Sequence, residues 1–256
     1  MMNSGNTQLT THKPILVDEV PLAIAINDIS YAVMLVSPME LEDFVVGFLH
    51  SESVIANDRD IHEIVIEPHA NSMIANVTIA NRCLAKLNET KRILKGTSGC
   101  GLCGTKALEQ AFPDLAPLSP SKPFSLKKAK SLKNNLRQWQ RHGRESGALH
   151  AAFWLDSQGN IVQCREDIGR HNALDKLIGY LLRCRPPTKG AAILVTSRCS
   201  VELVQKTILA GVENLISLAS PSKLAVEMAQ SHGLHLIHIP KRDQPYYLTG
   251  ETVHAQ

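Results

Sequence analysis

The sequence feature that most constrains the fold is a regular alternation of strand-like and helix-like segments in the second half of the chain. Strands are predicted near residues 149–155, 161–164, 191–196, 214–219 and 234–239, and helices near 171–184, 201–210 and 222–232. This spacing predicts a largely parallel sheet covered by helices on both faces. Gly211 and Gly233 stand where two of these helices should end. Because ligands of such sheets bind beyond the carboxyl ends of the strands, the loops after Thr196, Ala219 and Ile239 are candidate binding segments.

The first half of the chain predicts strands and one helix. The apolar segments predicted as strands are 22–26, 31–36, 61–66 and 73–79. The first two flank Asn27-Asp28, a pair that is typical of a turn. Ser37 and Glu40 have the spacing of a capping box around Pro38, which predicts a helix with Ser37 as its N-cap. This half is therefore expected to be mixed α and β.

The prolines of Leu118-Ser119-Pro120-Ser121-Lys122-Pro123 predict a connector at 119–124 rather than a helix or strand. We expect an N-terminal α+β lobe at 19–118, preceded by a disordered segment at 1–18, and a C-terminal α/β lobe at 125–256. The start of the second lobe, 125–142, predicts one amphipathic helix whose polar side carries cations. That side is either a solvated face or a docking surface for an acidic protein.

The composition excludes several classes of protein. Of the 256 residues 44% are apolar and 20% are charged, as in an ordinary globular protein. The formal net charge of +3 is too small for a protein that coats nucleic acid. The N-terminus lacks the basic and apolar regions of a secretory signal, and no apolar run could span a bilayer. We therefore expect a cytoplasmic protein without nucleic-acid or membrane binding, in which the cysteines stay reduced.

Two cysteines, Cys100 and Cys103, lie in a glycine-rich loop at 96–104. Such a pair can form a disulfide, bind a metal or pass sulfur, and the spacing alone does not choose among these functions. Structural zinc usually requires a second close pair of ligands, and a thioredoxin-like centre requires a helix start directly after a buried strand. In sulfur transfer, one thiolate takes the outer sulfur of a donor persulfide, and the neighbouring thiol can assist its release. A mobile glycine loop suits a sulfur carrier better than a rigid redox centre.

A second dense motif runs from 165 to 176, from a strand end across Gly169 into a helix, where anions commonly bind. Its candidate ligand-binding residues are Arg165, Glu166, Asp167, Arg170, His171 and Asp175. The carboxylates could accept hydrogen bonds from a guanine edge, and the arginines could hold phosphate. The alternative is an internal network of ion pairs.

Two further candidates lie beside predicted strands. His150 is either a ligand or acid/base group, or a hydrogen-bonded histidine of the core. Residues 239–244 follow the last strand, where Lys241 and Arg242 are either phosphate contacts or part of a solvated turn.

These motifs together resemble the family of formate dehydrogenase accessory sulfurtransferases, FdhD. The resemblance rests on Gly-x-x-His-Ala-Ala at 147–152, on Arg-Glu-Asp-Ile-Gly-Arg-His-Asn-Ala-Leu-Asp-Lys at 165–176 and on Cys-Gly-x-Cys-Gly at 100–104. It extends from about Glu19 to Thr249. It implies a homodimer in which each chain has a cytidine-deaminase-like C-terminal lobe, a mixed sheet with helices on both faces, beside a smaller α+β N-terminal lobe.

The resemblance also implies an activity. The family is expected to take persulfide sulfur from a cysteine desulfurase and deliver it to the molybdenum bis-molybdopterin guanine dinucleotide cofactor, as formate dehydrogenase requires. By this resemblance Cys100 forms the persulfide and Cys103 relays or resolves it. The implied cofactor-binding residues are Ile239, Pro240, Lys241, Arg242, Asp243 and Gln244, with His150, Arg165, Asp167, Arg170, His171, Asp175 and Arg198 as further candidates. A guanine nucleotide such as GDP is expected to mimic the cofactor, and no metal bound by the protein's own residues is expected.

Two other functions stay open at this point. One is a zinc-dependent deaminase-like hydrolase, which requires a bound zinc. The other is a chaperone that shields the molybdenum cofactor without transferring sulfur.

Overall fold

The computed structural model describes residues 15–84, 115–133 and 135–249. The loop that carries Cys100 and Cys103 lies outside these ranges, as does most of the segment 1–18. In the described ranges no helix is long and apolar enough to cross a membrane.

The N-terminal lobe is a four-stranded sheet with one helix on its inner face. Its elements are β1 (Val20–Ile26), β2 (Ile29–Val36), α1 (Leu41–Ser51), β3 (Ile61–His69) and β4 (Ser72–Ile79), with single 3-10 turns at Asp58–Asp60 and Asn81–Cys83. The strand order is β2-β1-β4-β3, and only the central pair, β1 with β4, is parallel. Alternate residues of β1, such as Leu22 and Ile24, are fully buried in a cluster with Phe44 and Leu49 of α1. The predicted strands are confirmed.

The predicted capping of α1 by Ser37 is wrong. The helix begins at Leu41, its N-cap Glu40 has left-handed backbone angles, and no side chain caps it. Ser37 instead contacts the other lobe: its amide donates to Asp167 Oδ2 at 2.9 Å, and its hydroxyl oxygen accepts from the Ile168 amide at 3.2 Å. These buried bonds between lobes replace the local bond that a capping box would supply.

The C-terminal lobe is built on a six-stranded sheet. Its elements are α2 (Leu126–Leu132), α3 (Leu136–Trp139), α4 (Gly143–Ser146), β5 (His150–Leu155), β6 (Ile161–Asp167), α5 (Arg170–Cys184), β7 (Ala192–Arg198), α6 (Val201–Leu209), β8 (Asn214–Ala219), α7 (Lys223–Ser231), β9 (His235–His238) and β10 (Tyr246–Tyr247). The strand order is β10-β9-β8-β7-β5-β6. One face packs against α5, α6 and α7, and the other packs against Phe124, α2 and α3. The helices predicted at 171–184, 201–210 and 222–232 are confirmed, and Gly211 and Gly233 follow two of them with left-handed backbone angles.

The prediction of a largely parallel sheet is wrong, and the mixed sheet implied by the family resemblance is confirmed. Strands β7, β8 and β9 are parallel to one another, but β5 is antiparallel to both β6 and β7, and β10 is antiparallel to β9. A short turn at 156–160 joins β5 to β6, and a tight hairpin of this kind can only connect antiparallel strands.

The single helix predicted at 125–142 is also wrong, because the segment forms two short helices, α2 and α3. Residues Ala129, Leu132 and Leu136 still face the sheet, as the apolar spacing predicted. The helical path ends before residue 142 because the Glu166 carboxylate accepts hydrogen bonds from the amides of His142 and Gly143, at 2.9 and 2.8 Å. Those amides are therefore not available to extend α3.

Helices α1 and α5 cross at two glycines, and this crossing joins the lobes. A Cβ atom on Gly47 would lie 1.8 Å from the Asp175 carbonyl oxygen, and a Cβ atom on Gly179 would lie 1.8 Å from the Asp43 carbonyl oxygen. The two backbones are therefore in direct contact, and any side chain at either position must force them apart.

We predict that Gly47→Ala lowers the free energy of unfolding by about 3 kcal/mol, because overpacking moves backbone rather than a flexible side chain. Gly211→Ala is the matched control. Gly211 has a left-handed backbone, with φ of +67°, and none of the described residues lies within 4 Å of its added Cβ. Its substitution should therefore lower the free energy of unfolding by about 1 kcal/mol. Urea unfolding followed by circular dichroism measures both values. Equal losses in the two variants would contradict the close crossing.

Candidate functional site

The candidate site is the sheet edge at which the carboxyl ends of β6, β7, β8 and β9 meet the start of β5. The antiparallel register pairs His150, the first residue of β5, with Asp167, the last residue of β6. Arg198 ends β7 and Arg170 begins α5. The topology thus brings together at one edge several residues that the sequence motifs predicted separately.

Cations dominate this edge. His150 is partly buried, and its pKa is lowered chiefly by that burial and further by the charges of Arg170 and Arg198. Arg198 is exposed, whereas Arg170 is partly buried. Arg170 Nε is shielded from solvent and has no hydrogen-bond acceptor among the described residues. A buried donor without an acceptor is costly, so this edge favours an anionic ligand.

The start of α5 adds to the positive potential. Its N-cap is Gly169, which has no side chain to cap the helix, and its first turn holds no acidic residue. His171, in the first turn, places Nε2 at 2.8 Å from Glu202 Oε2. Burial chiefly, together with Arg170 and Lys206, lowers the pKa of His171 and outweighs the effect of Glu202.

The strip 239–244 divides into a buried part and an exposed part. Ile239 is 1% exposed and its amide donates to the Ser217 carbonyl at 3.0 Å, so its side chain belongs to the core. The Pro240 carbonyl oxygen accepts a hydrogen bond from Lys133 Nζ. Lys241, Arg242, Asp243 and Gln244 are exposed. The two cations of this strip therefore lie after the end of β9, at the same edge as Arg198.

The 165–176 motif has a second role inside the protein. Lys176 Nζ lies 2.8 Å from Asp167 Oδ2, and both side chains are 0% exposed. Lys176 also donates to the carbonyl oxygens of Ser37 and Glu166, each at 3.0 Å. Asp167 accepts hydrogen bonds from the amides of Ser37 and Gly169. All the polar atoms of this buried pair are thus satisfied within the protein.

Arg165 joins the lobes in a similar way. Its guanidinium lies 2.6 Å from Asp43 Oδ2 and stacks 4.9 Å above the centroid of the Tyr180 ring. Asp43 also contacts Arg183 at 2.7 Å. This charge–charge cluster is nearly buried and links α1 to β6 and α5.

Asp175, the remaining acidic candidate, is also engaged inside the protein. Its carboxylate lies 2.6 Å from Lys206 Nζ and accepts a hydrogen bond from the Ser51 hydroxyl at 2.6 Å. Together with the contacts of Arg165 and Asp167, this favours the interpretation of the motif's buried charges as an internal ion-pair network. Contact of any motif residue with a ligand stays a prediction.

Several residues of the network were not singled out in the sequence. Asp43 carries the contacts to both Arg165 and Arg183, and Lys206 neutralises Asp175. A signal for Asp43 did exist, since it is an acidic residue directly beside the apolar face of α1. Nothing in the sequence indicated its partners, which lie more than 120 positions away.

The sequence His50-Ser51-Glu52 has the His-x-Glu pattern of zinc deaminases. His50 Nε2, however, lies 3.1 Å from the Leu209 carbonyl oxygen, and the Ser51 hydroxyl donates to Asp175. Within the part of the chain that the structure describes, no group of three His, Cys, Asp or Glu residues is arranged to hold a metal ion. His50 and Ser51 therefore contact the C-terminal lobe.

The fold and this edge define a class: a two-lobed α/β protein with a cationic sheet edge. The chain belongs to the FdhD/NarQ family, whose profile matches residues 17–253. This confirms the resemblance found in the motifs.

Individual relatives cover nearly the whole chain. A protein of Bordetella bronchiseptica named sulfur carrier protein FdhD is 37% identical over 237 residues, which is 92% of this chain and 86% of the relative. A protein of the same name from Bordetella petrii is 35% identical over 236 residues, or 92% and 85% of the two chains. The crystal structure of a protein described as a formate dehydrogenase accessory protein, from Desulfotalea psychrophila, superposes with a TM-score of 0.66 and 25% identity, covering 91% and 87% of the chains.

We predict that His150 titrates below its ordinary pKa of 6.5, and that Arg198→Gln raises its pKa because one of the cations that disfavour protonation is removed. Since the folded pKa lies below the unfolded one, the unfolded chain binds more protons below pH 6.5. The stability from neutral His150 is therefore full above pH 6.5 and is lost as the pH falls through its folded pKa.

NMR titration of the imidazole Cε1–H resonance measures this pKa. Lys223→Gln is the control, because Lys223 is 90% exposed on α7 and its one ion pair in the described part of the chain is with Glu227 at 3.6 Å. An unchanged His150 pKa in Arg198→Gln would show that Arg198 does not act on this histidine.

Proposed function

We propose that this protein is a sulfur carrier that holds sulfur as a persulfide on Cys100 and supplies it for the maturation of formate dehydrogenase. The observation that carries the proposal is membership of the FdhD/NarQ family, with relatives named sulfur carrier proteins, in a chain that contains a Cys-Gly-x-Cys-Gly loop. The cationic edge of the C-terminal lobe supports it, because an anionic acceptor needs such a site.

The sulfur donor is a cysteine desulfurase carrying a persulfide. The Cys100 thiolate attacks the outer sulfur of that persulfide, a new S–S bond forms on Cys100, and the donor cysteine leaves as a thiolate. The Cys103 thiolate then attacks the inner sulfur of the Cys100 persulfide. This forms the Cys100–Cys103 disulfide and releases the outer sulfur as hydrosulfide, with both electrons of the broken bond. A dithiol reductant returns the pair to two thiols.

The acceptor, and thus the second substrate, is the molybdenum bis-molybdopterin guanine dinucleotide cofactor. Its diphosphate groups match the chemistry of the edge, where Arg170 Nε lacks an acceptor and Arg198 is exposed. Lys241 and Arg242 extend the same positive surface, and His150 adds a neutral ring at its floor. GDP, which carries the guanine and diphosphate of the cofactor, is expected to occupy this edge.

The surrounding assignments belong to the same proposal. The protein works in the cytoplasm as a homodimer, with the cysteine desulfurase and formate dehydrogenase as successive partners. The C-terminal lobe corresponds to the cytidine-deaminase-like lobe implied for the family. A chaperone that binds the cofactor without carrying sulfur would use the same edge, so the two functions differ only at Cys100.

We predict that incubation with cysteine and a cysteine desulfurase adds the mass of one or more sulfur atoms, measured on the intact protein, and that a reductant removes it. Cys100→Ala should abolish the added mass. Cys184→Ala is the matched control, because Cys184 is an exposed thiol outside the loop and its loss should leave the labelling intact.

Cys103→Ala should still accept sulfur but release hydrosulfide more slowly, which a methylene-blue assay measures. No added mass, or full labelling of Cys100→Ala, would overturn sulfur transfer through Cys100. A Cys100→Ala protein that still matures formate dehydrogenase would establish the chaperone function instead.

A further inference from the structure

The cations of the chain are concentrated in one segment. Residues 115–144 contain five lysines and three arginines and no aspartate or glutamate. Removing these eight from the 27 basic residues of the chain leaves 19 basic against 24 acidic residues, so the rest of the chain has a net charge of −5. The net charge of +3 therefore conceals a strong local asymmetry.

The structure places many of these cations on one exposed surface. The inner residues of α2 and α3, Ala129, Leu132 and Leu136, pack against the sheet. Two exposed cations stand on α2, one on α3 and one just after α3. We call this surface the basic face and define it by Lys127, Lys130, Arg137 and Arg141.

The charges of the basic face are not neutralised within the described parts of the chain. Of the ion pairs seen there, none involves these four residues; the only pair in segment 115–144 joins Arg144 to Glu145, at 3.8 Å. Lys128 and Lys133 donate to the carbonyl oxygens of Ser157 and Pro240, and Arg137 donates to that of Arg144 at 3.2 Å. A solvated face of a helix usually carries both signs of charge, and this one carries a single sign.

A groove of about 360 Å³ is lined by residues of α2, of α3 and of the turn that joins β5 to β6. Half-buried Trp139 lines it together with the amide side chains of Asn135, Gln138 and Asn160 and the Ser131 hydroxyl. Side-chain amides both donate and accept, so they suit the peptide groups and polar side chains of a protein. A half-buried tryptophan among polar groups is the residue type that dominates protein–protein binding energy.

We propose that the basic face is a docking surface for an acidic surface of another protein. Charge complementarity with an acidic partner explains the single sign of its charges. A protein is favoured over nucleic acid for two reasons. Helices α2 and α3, of seven and four residues, are too short to follow the groove of a duplex. Single strands stack on several aromatic side chains, whereas Trp139 is the one aromatic residue among the described residues that line this surface groove.

The position of the basic face gives the docked partner a defined location. Lys133, at the end of α2, donates to the Pro240 carbonyl oxygen, and the exposed residues Lys241 and Arg242 follow directly. A partner on the basic face therefore lies beside the candidate anion site. Docking on the basic face involves only segment 115–144 and does not depend on the sulfur chemistry.

The test uses fluorescently labelled poly-L-glutamate as a defined acidic polypeptide, with binding followed by anisotropy. The variant Lys130→Glu/Arg137→Glu should weaken binding at least roughly tenfold. The matched control is Lys189→Glu/Lys223→Glu. Both its lysines are exposed and lie outside segment 115–144, and both variants change the formal net charge from +3 to −1. The control should bind within about twofold of the parent, since salt screens exposed charges that lie more than about 10 Å from a bound polymer.

Carbodiimide cross-linking of the same complex locates the polymer, because it joins carboxylates to lysine amines. Mass spectrometry should find the cross-links on Lys127 and Lys130. Equal weakening in the two double variants, cross-links mainly on Lys189 or Lys223, or tighter binding of duplex DNA at the same salt would each overturn the proposal. Circular dichroism confirms that each variant is folded. Cys100→Ala should bind poly-L-glutamate as the parent does, so failed docking and failed sulfur transfer are told apart.

Discussion

The buried contact between Lys176 and Asp167 is the interaction on which the rest of the arrangement depends. Both charges are completely withdrawn from water, which is tolerated only when every polar atom finds a partner. The backbone of Ser37 supplies two of those partners, an amide for Asp167 and a carbonyl oxygen for Lys176. Because Ser37 belongs to the N-terminal lobe, neither lobe can satisfy this pair alone. The ion pair therefore specifies how the lobes meet.

The rest of the interface extends outward from this pair. The glycine crossing of α1 and α5 brings Asp43 close to Arg165 and Arg183, and it places Ser51 against Asp175. With its acidic residues held inside, the 165–176 motif presents little negative charge to the sheet edge. Arg170, at the start of the same helix, has no carboxylate partner among the residues that the structure describes. One motif thus braces the lobes with its buried charges and places the Arg170 cation at the sheet edge.

Much of the fold could be predicted from local sequence. The strands, the three helices after Gly169 and their C-terminal glycines follow from periodicity and turn residues, which act over a few positions. The errors have one common cause, contacts between residues far apart in sequence. Ser37 does not cap α1 because it bonds to Asp167, and the basic segment is not one helix because Glu166 takes the amides of His142 and Gly143. The antiparallel pairing of β5 with β7 likewise joins strands that are far apart in sequence.

The candidate site divides in the same way, into residues that local sequence identifies and contacts that only the fold reveals. Spacing identified Arg170, His150 and Lys241 as candidates, because strand ends and helix starts are readable locally. Spacing could not separate the buried members of the 165–176 motif from the exposed ones, since that depends on Asp43 and Lys206. The charged residues of such a motif therefore indicate an important region without indicating which of them meet a ligand.

The central claim is that Arg165 braces the lobes whereas Arg198 faces the anionic ligand. Calorimetric titration with GDP tests it in two matched variants, Arg165→Gln and Arg198→Gln, each confirmed to be folded at the temperature used. Arg165→Gln should lower thermal stability and leave GDP affinity unchanged, because Arg165 pairs with Asp43 in a nearly buried contact. Arg198→Gln should weaken GDP binding about tenfold, the loss expected for one charge-assisted hydrogen bond to phosphate. Weakened binding in Arg165→Gln with unchanged binding in Arg198→Gln would contradict the account.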